Sequence, residues 1–212
     1  MRSHGGVETM LEDKTFLFWK PTSFKSHETR KLSGGVATIC LSQGFAFALM
    51  RMRSQTDTFE YIATRIKHRH HCWKVLNIYR PGTQAATKLF FVELDKMISK
   101  MKYGPGDIII TGDMNVPLNI KRNSSQNRRS NRQSLLQVLS KHGLTQCVQH
   151  PTHEHGNLLD VVCSSVPTPV RIKETRMSDH GLLTSDYPSA RHFRQWRSKN
   201  LYVEKLLRSF RH

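Results

Sequence analysis

An uninterrupted apolar run, Ile108-Ile109-Ile110, leads directly into Thr111-Gly112-Asp113-Met114-Asn115. Three β-branched residues in a row suit a strand covered on both faces. Side chains two residues apart on a strand point to one side, so this reading puts Asp113 and Asn115 together in one pocket. A second acidic motif, Ser178-Asp179-His180, sets a carboxylate beside an imidazole. Together the two motifs hold what phosphodiester hydrolysis requires: oxygen ligands for a hard cation, a base for water and donors for phosphate. Each also has a plainer use, because Gly, Asp and Asn favour turns and Ser-Asp caps helices.

The rest of the chain reads as strands with few helices. Gly34 to Leu41 is a strand opened by glycines, with Phe45 to Met50 as its hairpin partner. Phe59 to Ile66 alternates without a clear inner face, and Trp73 to Tyr79 returns from it, stopped by Arg80-Pro81-Gly82. Thr87 to Met101 is a helix, with Leu89, Phe90, Leu94, Met97, Ile98 and Met101 at three- and four-residue steps. A strand follows from Asp107 to Thr111, a second helix from Arg132 to His142, and strands at Leu158 to Ser164 and Leu182 to Thr184. Strands joined as hairpins, with helices between some of them, predict an α/β sandwich and not a doubly wound parallel sheet.

Charge narrows the partner. Thirty-three Lys and Arg against sixteen Asp and Glu give +17 and a pI near 10.2, which points to a polyanion, nucleic acid before anionic membrane. No apolar stretch approaches the roughly 20 residues that span a bilayer, so no membrane is expected. Cys40, Cys72, Cys147 and Cys163 are scattered and read as free thiols. With no signal-like start at Met1-Arg2-Ser3, a nuclear or cytoplasmic location is expected, not secretion. The cluster His68, His70, His71 and Cys72 reads as a hairpin tip, since no second ligand pair lies at zinc spacing. The basic stretch Lys121, Arg122, Arg128, Arg129 and Arg132 is either a solvated loop or a phosphate contact.

Further motifs accompany these two. In order they are Glu8-Thr9-Met10-Leu11, Gly34-Gly35-Val36-Ala37, Tyr79-Arg80-Pro81, Gly112-Asp113-Met114-Asn115, Pro151-Thr152-His153, Leu159-Asp160 and Ser178-Asp179-His180. The series resembles the endonuclease/exonuclease/phosphatase superfamily, most closely the apurinic-type endonuclease domains of non-LTR (LINE-type) retrotransposons. That resemblance implies a DNase I-like fold, a two-layer β-sandwich of mixed sheets flanked by helices. It implies DNA as substrate, Mg²⁺ as cofactor with Mn²⁺ as a substitute, and no small-molecule cofactor. Protein partners stay open.

The resemblance also implies residue roles. Glu8 and Asp179 would serve the metal. Asp113 would orient or deprotonate the water, or protonate the leaving oxygen, and Asn115 would hold it and donate to the phosphate. His180 would stabilise the phosphorane charge, with Asp160 on its other ring nitrogen raising its pKa. Tyr79 would donate its phenol, while Thr152, Arg80 and the arginines Arg128, Arg129 and Arg132 would contact substrate. Plainer readings stand beside these: Glu8 as an exposed acid, Tyr79 packing on Pro81, Thr152 as a turn residue.

The family's fold begins with an Asn-bearing strand, and no such segment precedes Glu8. The expectation is therefore a domain over 1–187 that lacks this first strand, followed by a basic, helical tail over 188–212. A metal-dependent endonuclease is the leading expectation. The alternatives are an inactive remnant that binds nucleic acid by charge, and a phosphatase of the same fold.

Overall fold

The computed structural model describes residues 7–11, 15–21, 35–41, 44–52, 54–83, 85–166, 168–175 and 178–186, with side chains from residue 35 onward except Leu41. The tail over 188–212 lies outside the described residues. Three antiparallel strands, β1 (Val7–Leu11), β2 (Thr15–Pro21) and β3 (Gly35–Leu41), form one sheet. The larger, six-stranded sheet runs β4 (Ala46–Leu49), β5 (Glu60–His68), β6 (His71–Tyr79), β7 (Asp107–Asp113), β9 (Asp160–Ser164) and β8 (Thr145–Gln146). It is mixed: β6 and β7 are parallel and joined through α1 (Lys88–Met101), whereas the other neighbours are antiparallel. A second helix, α2 (Gln126–Lys141), precedes β8, and a small hairpin of β10 (Val170–Lys173) and β11 (Leu182–Ser185) completes the order.

Strand alternation on β6 and β7 explains the layers. Leu76, Ile78, Ile108 and Ile110 face the helices and are buried with Phe90, Leu94, Met97 and Ile98 of α1 and Leu135 and Leu139 of α2. On the opposite face, β3 packs against β5 and β6, where Val36, Cys40 and Ile62 form a small core joined by Tyr79. β5 therefore buries Ala63 on one side, where Phe59 just before the strand also packs, and Ile62 on the other. A strand covered on both faces loses its alternation, which is why its inner face could not be read from sequence. The architecture is the expected α/β sandwich of DNase I type.

Three expectations need correction. Phe45 to Met50 does not pair with the strand before it: β4 pairs β5 in the large sheet, whereas β3 pairs β2 in the small one. α2 starts at Gln126, not Arg132, because Ser125 caps it, accepting a hydrogen bond from the Arg128 N–H at 3.4 Å. β9 starts at Asp160, not Leu158. β1, β2, β8 and β10 were not anticipated. The hairpin tip is as expected: His68 pairs with His71 across a turn in which Arg69 has φ +52°. All four cysteines are free.

Candidate active site

Register places the reactive groups. Tyr79 pairs with Asp113 across the parallel β6–β7 ladder, Asp113 pairs with Asp160 across β7–β9, and Glu60 pairs with Tyr79 on the other side. The four residues thus form one transverse row at the end of the sheet. Gly112 makes this ladder possible. Its φ is +122°, and a Cβ there would stand 1.9 Å from the Ile78 carbonyl oxygen. Only glycine satisfies both conditions.

Asp113 and Asn115 share a pocket, but not by strand alternation. β7 ends at Asp113, and Asn115 turns back with φ +49°. Its backbone N–H donates to Asp113 Oδ1 at 2.8 Å, and its side-chain Nδ2 donates to Asp113 Oδ2 at 2.9 Å and to the Arg80 carbonyl at 2.7 Å. Both amide N–H bonds are thereby used. Asn115 orients Asp113, and the amide hydrogens that were expected to reach the phosphate are here engaged with Asp113 and Arg80.

Arg80, expected to contact substrate, is held inside the fold. It is 4% exposed, and its guanidinium donates to the Met114 and Asn115 carbonyls at 2.6 and 2.8 Å. It braces the turn from behind and does not face the cleft. Thr152 is 2% exposed, and its hydroxyl accepts the N–H groups of Leu159 and Asp160 at 3.1 and 3.2 Å. These two bonds fix the entry to β9.

His180 Nδ1 lies 2.7 Å from Asp160 Oδ2. Burial works against the charged ring, but the Asp160 hydrogen bond and the charges of Asp160, Asp113 and Asp179 outweigh it and raise the His180 pKa. Asp113 moves upward as well: burial dominates and Asp160 adds to it, against the Asn115 N–H, His180 and Arg80. A carboxyl and an imidazole side by side, both shifted upward, are groups that could serve acid–base chemistry. His180 Nε2 has no hydrogen bond among the described residues.

Asp179 lies at the mouth, its side chain 55% exposed. Desolvation pushes its pKa up, but the Ser178 hydroxyl, a backbone N–H and the rings of His180 and His153 together hold it below the usual carboxylate range. Two groupings, Asp113–Asp160–His180 and His153–Asp179–His180, bring ligand atoms within 4.8 Å of one another. Their carboxylate oxygens match the preference of a hard divalent cation, so these acidic residues could hold a metal. Beneath the row, Asn77 donates to the Thr38 hydroxyl of the small sheet at 2.6 Å and accepts a hydrogen bond from the Thr111 hydroxyl. This polar link ties the two sheets together under the site.

A family model described as endonuclease-reverse transcriptase matches residues 73–184, more than half of the chain. The chain belongs to this endonuclease-reverse transcriptase family. The match takes in Tyr79, Asp113, Asn115, Asp160, Asp179 and His180 and leaves Glu8 outside. Among solved structures, the endonuclease domain of TRAS1, a telomere-specific non-LTR retrotransposon, superposes with a TM-score of 0.59 at 14% identity, over 81% of this chain and 77% of that one. The 3′ phosphatase NExo from Neisseria, bound to a product DNA hairpin, gives 0.55 at 16% identity, over 82% and 80%. An endonuclease/exonuclease/phosphatase family protein from Leptotrichia buccalis gives 0.53 at 14%, over 84% and 74%. At these identities the likeness establishes a shared fold. No curated protein matches the chain.

For this family member the structure brings together Tyr79, Asp113, Asn115, Asp160, Asp179 and His180, with Arg80 and Thr152 as supports. Glu8 lies on β1 opposite Phe18, and its side chain is outside the described residues. Arg128, Arg129 and Arg132 sit on α2, not in a loop. Arg132 Nε donates to the Leu118 carbonyl at 2.7 Å, while Arg129 donates to the carbonyls of Ser124 and Arg122. Sequence reasoning gave no role to His153 or Asn77. For Asn77 the signal was its two-residue spacing from Tyr79, which puts both on one face of β6.

Proposed function

We propose that this chain is a divalent-metal-dependent DNA endonuclease domain of retrotransposon type, which hydrolyses a phosphodiester with water as nucleophile. The observation that carries the reading is the Asp113–Asp160–His180 group, hydrogen-bonded and charge-coupled at the end of the large sheet. A bound Mg²⁺, with Mn²⁺ as a substitute, would be held by Asp179 and Glu8 and would neutralise phosphate charge and polarise a phosphoryl oxygen.

The chain's own groups supply the rest. Asp113, fixed by Asn115, orients the water and takes its proton. His180 as imidazolium presents Nε2–H to the charge that grows on the phosphate, while Asp160 fixes the ring through Nδ1. Tyr79 adds a phenol donor. The charge of +17 holds the DNA backbone, with Arg128, Arg129 and Arg132 as contacts on α2.

Nicking of supercoiled plasmid in Mg²⁺ tests this. Activity should vanish with EDTA, and Asp113→Ala and His180→Ala should each lower it by about 10²–10⁴-fold, the range for positioned acid–base groups. Unchanged nicking in both variants would sink the assignment. Faster release of a terminal 3′-phosphate than nicking would move the reading to a phosphatase.

A further inference from the structure

Opposite the Asp160–His180 pair stands a second His–Asp contact. His153 is 14% exposed, and its Nε2 lies 3.2 Å from Asp179 Oδ2. Its ring meets His180 edge to face, with centroids 4.8 Å apart at 77°. The two loops are locked by backbone bonds: Glu154 N–H donates to the Asp179 carbonyl at 2.9 Å, and Gly181 N–H to the Thr152 carbonyl at 2.7 Å. His153 and His180 form a β-bridge.

The tautomer decides what His153 does. Its Nδ1 accepts the His155 backbone N–H at 3.1 Å, so the ring proton is on Nε2, which is the nitrogen facing Asp179. A nitrogen that carries a proton is a donor to a carboxylate and not a metal ligand. Asp179 is then gripped on both oxygens, Oδ1 by the Ser178 hydroxyl at 3.2 Å and Oδ2 by His153. We propose that His153 is a positioning residue that fixes the Asp179 carboxylate at the mouth of the site, mirroring Asp160 on His180. In one pair the carboxylate orients the ring, and in the other the ring orients the carboxylate.

The inference rests on the metal-dependent reading for the use made of Asp179, and the test separates the two. Mn²⁺ binding to the whole chain, followed by electron paramagnetic resonance, reads the carboxylate without any turnover. His153→Leu should weaken Mn²⁺ binding about 10–100-fold, the usual cost of losing a group that orients a ligand. His153→Gln, whose amide N–H can stand in for Nε2–H, should recover most of it. Asp179→Ala should weaken binding as much as His153→Leu, and the double variant should add nothing further.

In nicking assays His153→Leu should raise the Mg²⁺ concentration for half-maximal rate and leave the rate at saturating Mg²⁺ nearly unchanged. Mn²⁺ affinity unaltered by His153→Leu, additive losses in the double variant, or a glutamine as poor as leucine would each overturn the proposal. Tight Zn²⁺ binding that His153→Gln abolishes would also overturn it, since His153 would then be a ligand. His153-dependent Mn²⁺ binding by a wild-type chain that never nicks would uphold the positioning role and defeat the endonuclease reading. Nicking without His153-dependent binding would do the reverse.

Discussion

A separation of 2.7 Å between Asp160 Oδ2 and His180 Nδ1 determines how long the imidazole keeps its proton as pH rises. Burial alone would pull the ring below its ordinary pKa of 6.5, and the Asp160 hydrogen bond is the first of the forces that raise it instead. The imidazolium is therefore present below the raised value and lost as pH climbs through it. Asp160→Asn removes the nearest anion, so the His180 pKa should fall and the alkaline limb of the nicking profile should move to lower pH. A ¹H–¹⁵N titration of the His180 ring in both proteins checks this, and an identical pKa in both would reject the role given to Asp160. Asn115 shows a different limit of reading residues one at a time. Its place beside Asp113 was legible, but its two amide hydrogens are already used on Asp113 and Arg80. Only a structure shows which donors are still free.

Among the elements, α1 depends on a residue that does not belong to it. Lys74, on β6, is 1% exposed, and its ammonium donates to the carbonyls of Met101, Gly104 and Tyr103 at 2.7, 2.8 and 3.3 Å. Met101 ends α1, and Tyr103 and Gly104 lie in the turn that follows it; a helix end leaves its last carbonyls without intrahelical partners, and a cation is well placed there. Lys74→Met keeps the length of the side chain and removes every donor. It should destabilise the domain by roughly 1–3 kcal/mol, the cost of stranding buried polar groups. A urea midpoint equal to that of the native chain would refute the cap. Nothing in the sequence marked Lys74, because it sits among strand residues and its partners lie 27 to 30 positions away. The strands β6 and β7 and helix α1 were legible because each carries an apolar run or a helical apolar stripe between turn residues. α2 was read six residues short because its first two turns, Gln126 to Arg132, are wholly polar, and its first fully buried residue is Leu135. β4 was assigned to the wrong sheet because neighbours in sequence usually pair, and here the chain changes sheets between β3 and β4.

For the whole molecule, the proposed function makes the excess of Lys and Arg the term that governs how it would meet DNA. Binding to duplex should be indifferent to sequence, and log K should fall linearly with log salt, with a slope of about −0.9 for each phosphate contacted. Replacing Arg128, Arg129 and Arg132 by Gln should flatten that slope if α2 lies on the DNA, whereas an unaltered slope in a salt titration would take α2 off the interface. Asp113→Ala should leave binding as tight or tighter, since it removes a negative charge near the phosphate. Charge of this kind is forgiving, because one arginine more or less alters only a slope. The transverse row of Glu60, Tyr79, Asp113 and Asp160 is not forgiving in the same way. It depends on phase. One residue inserted within β6 or β7 turns every later side chain of that strand to the opposite layer, and the phenol or the carboxylate leaves the cleft although no reactive residue has been replaced. An insertion at the Arg69–His70 tip, or between α1 and β7, lengthens the chain and leaves the row aligned. Under the proposed function, a gene copy of this domain is thus exposed in two unequal ways: point changes would wear down its grip on DNA by degrees, while a single in-frame codon gained in a central strand would silence it at once.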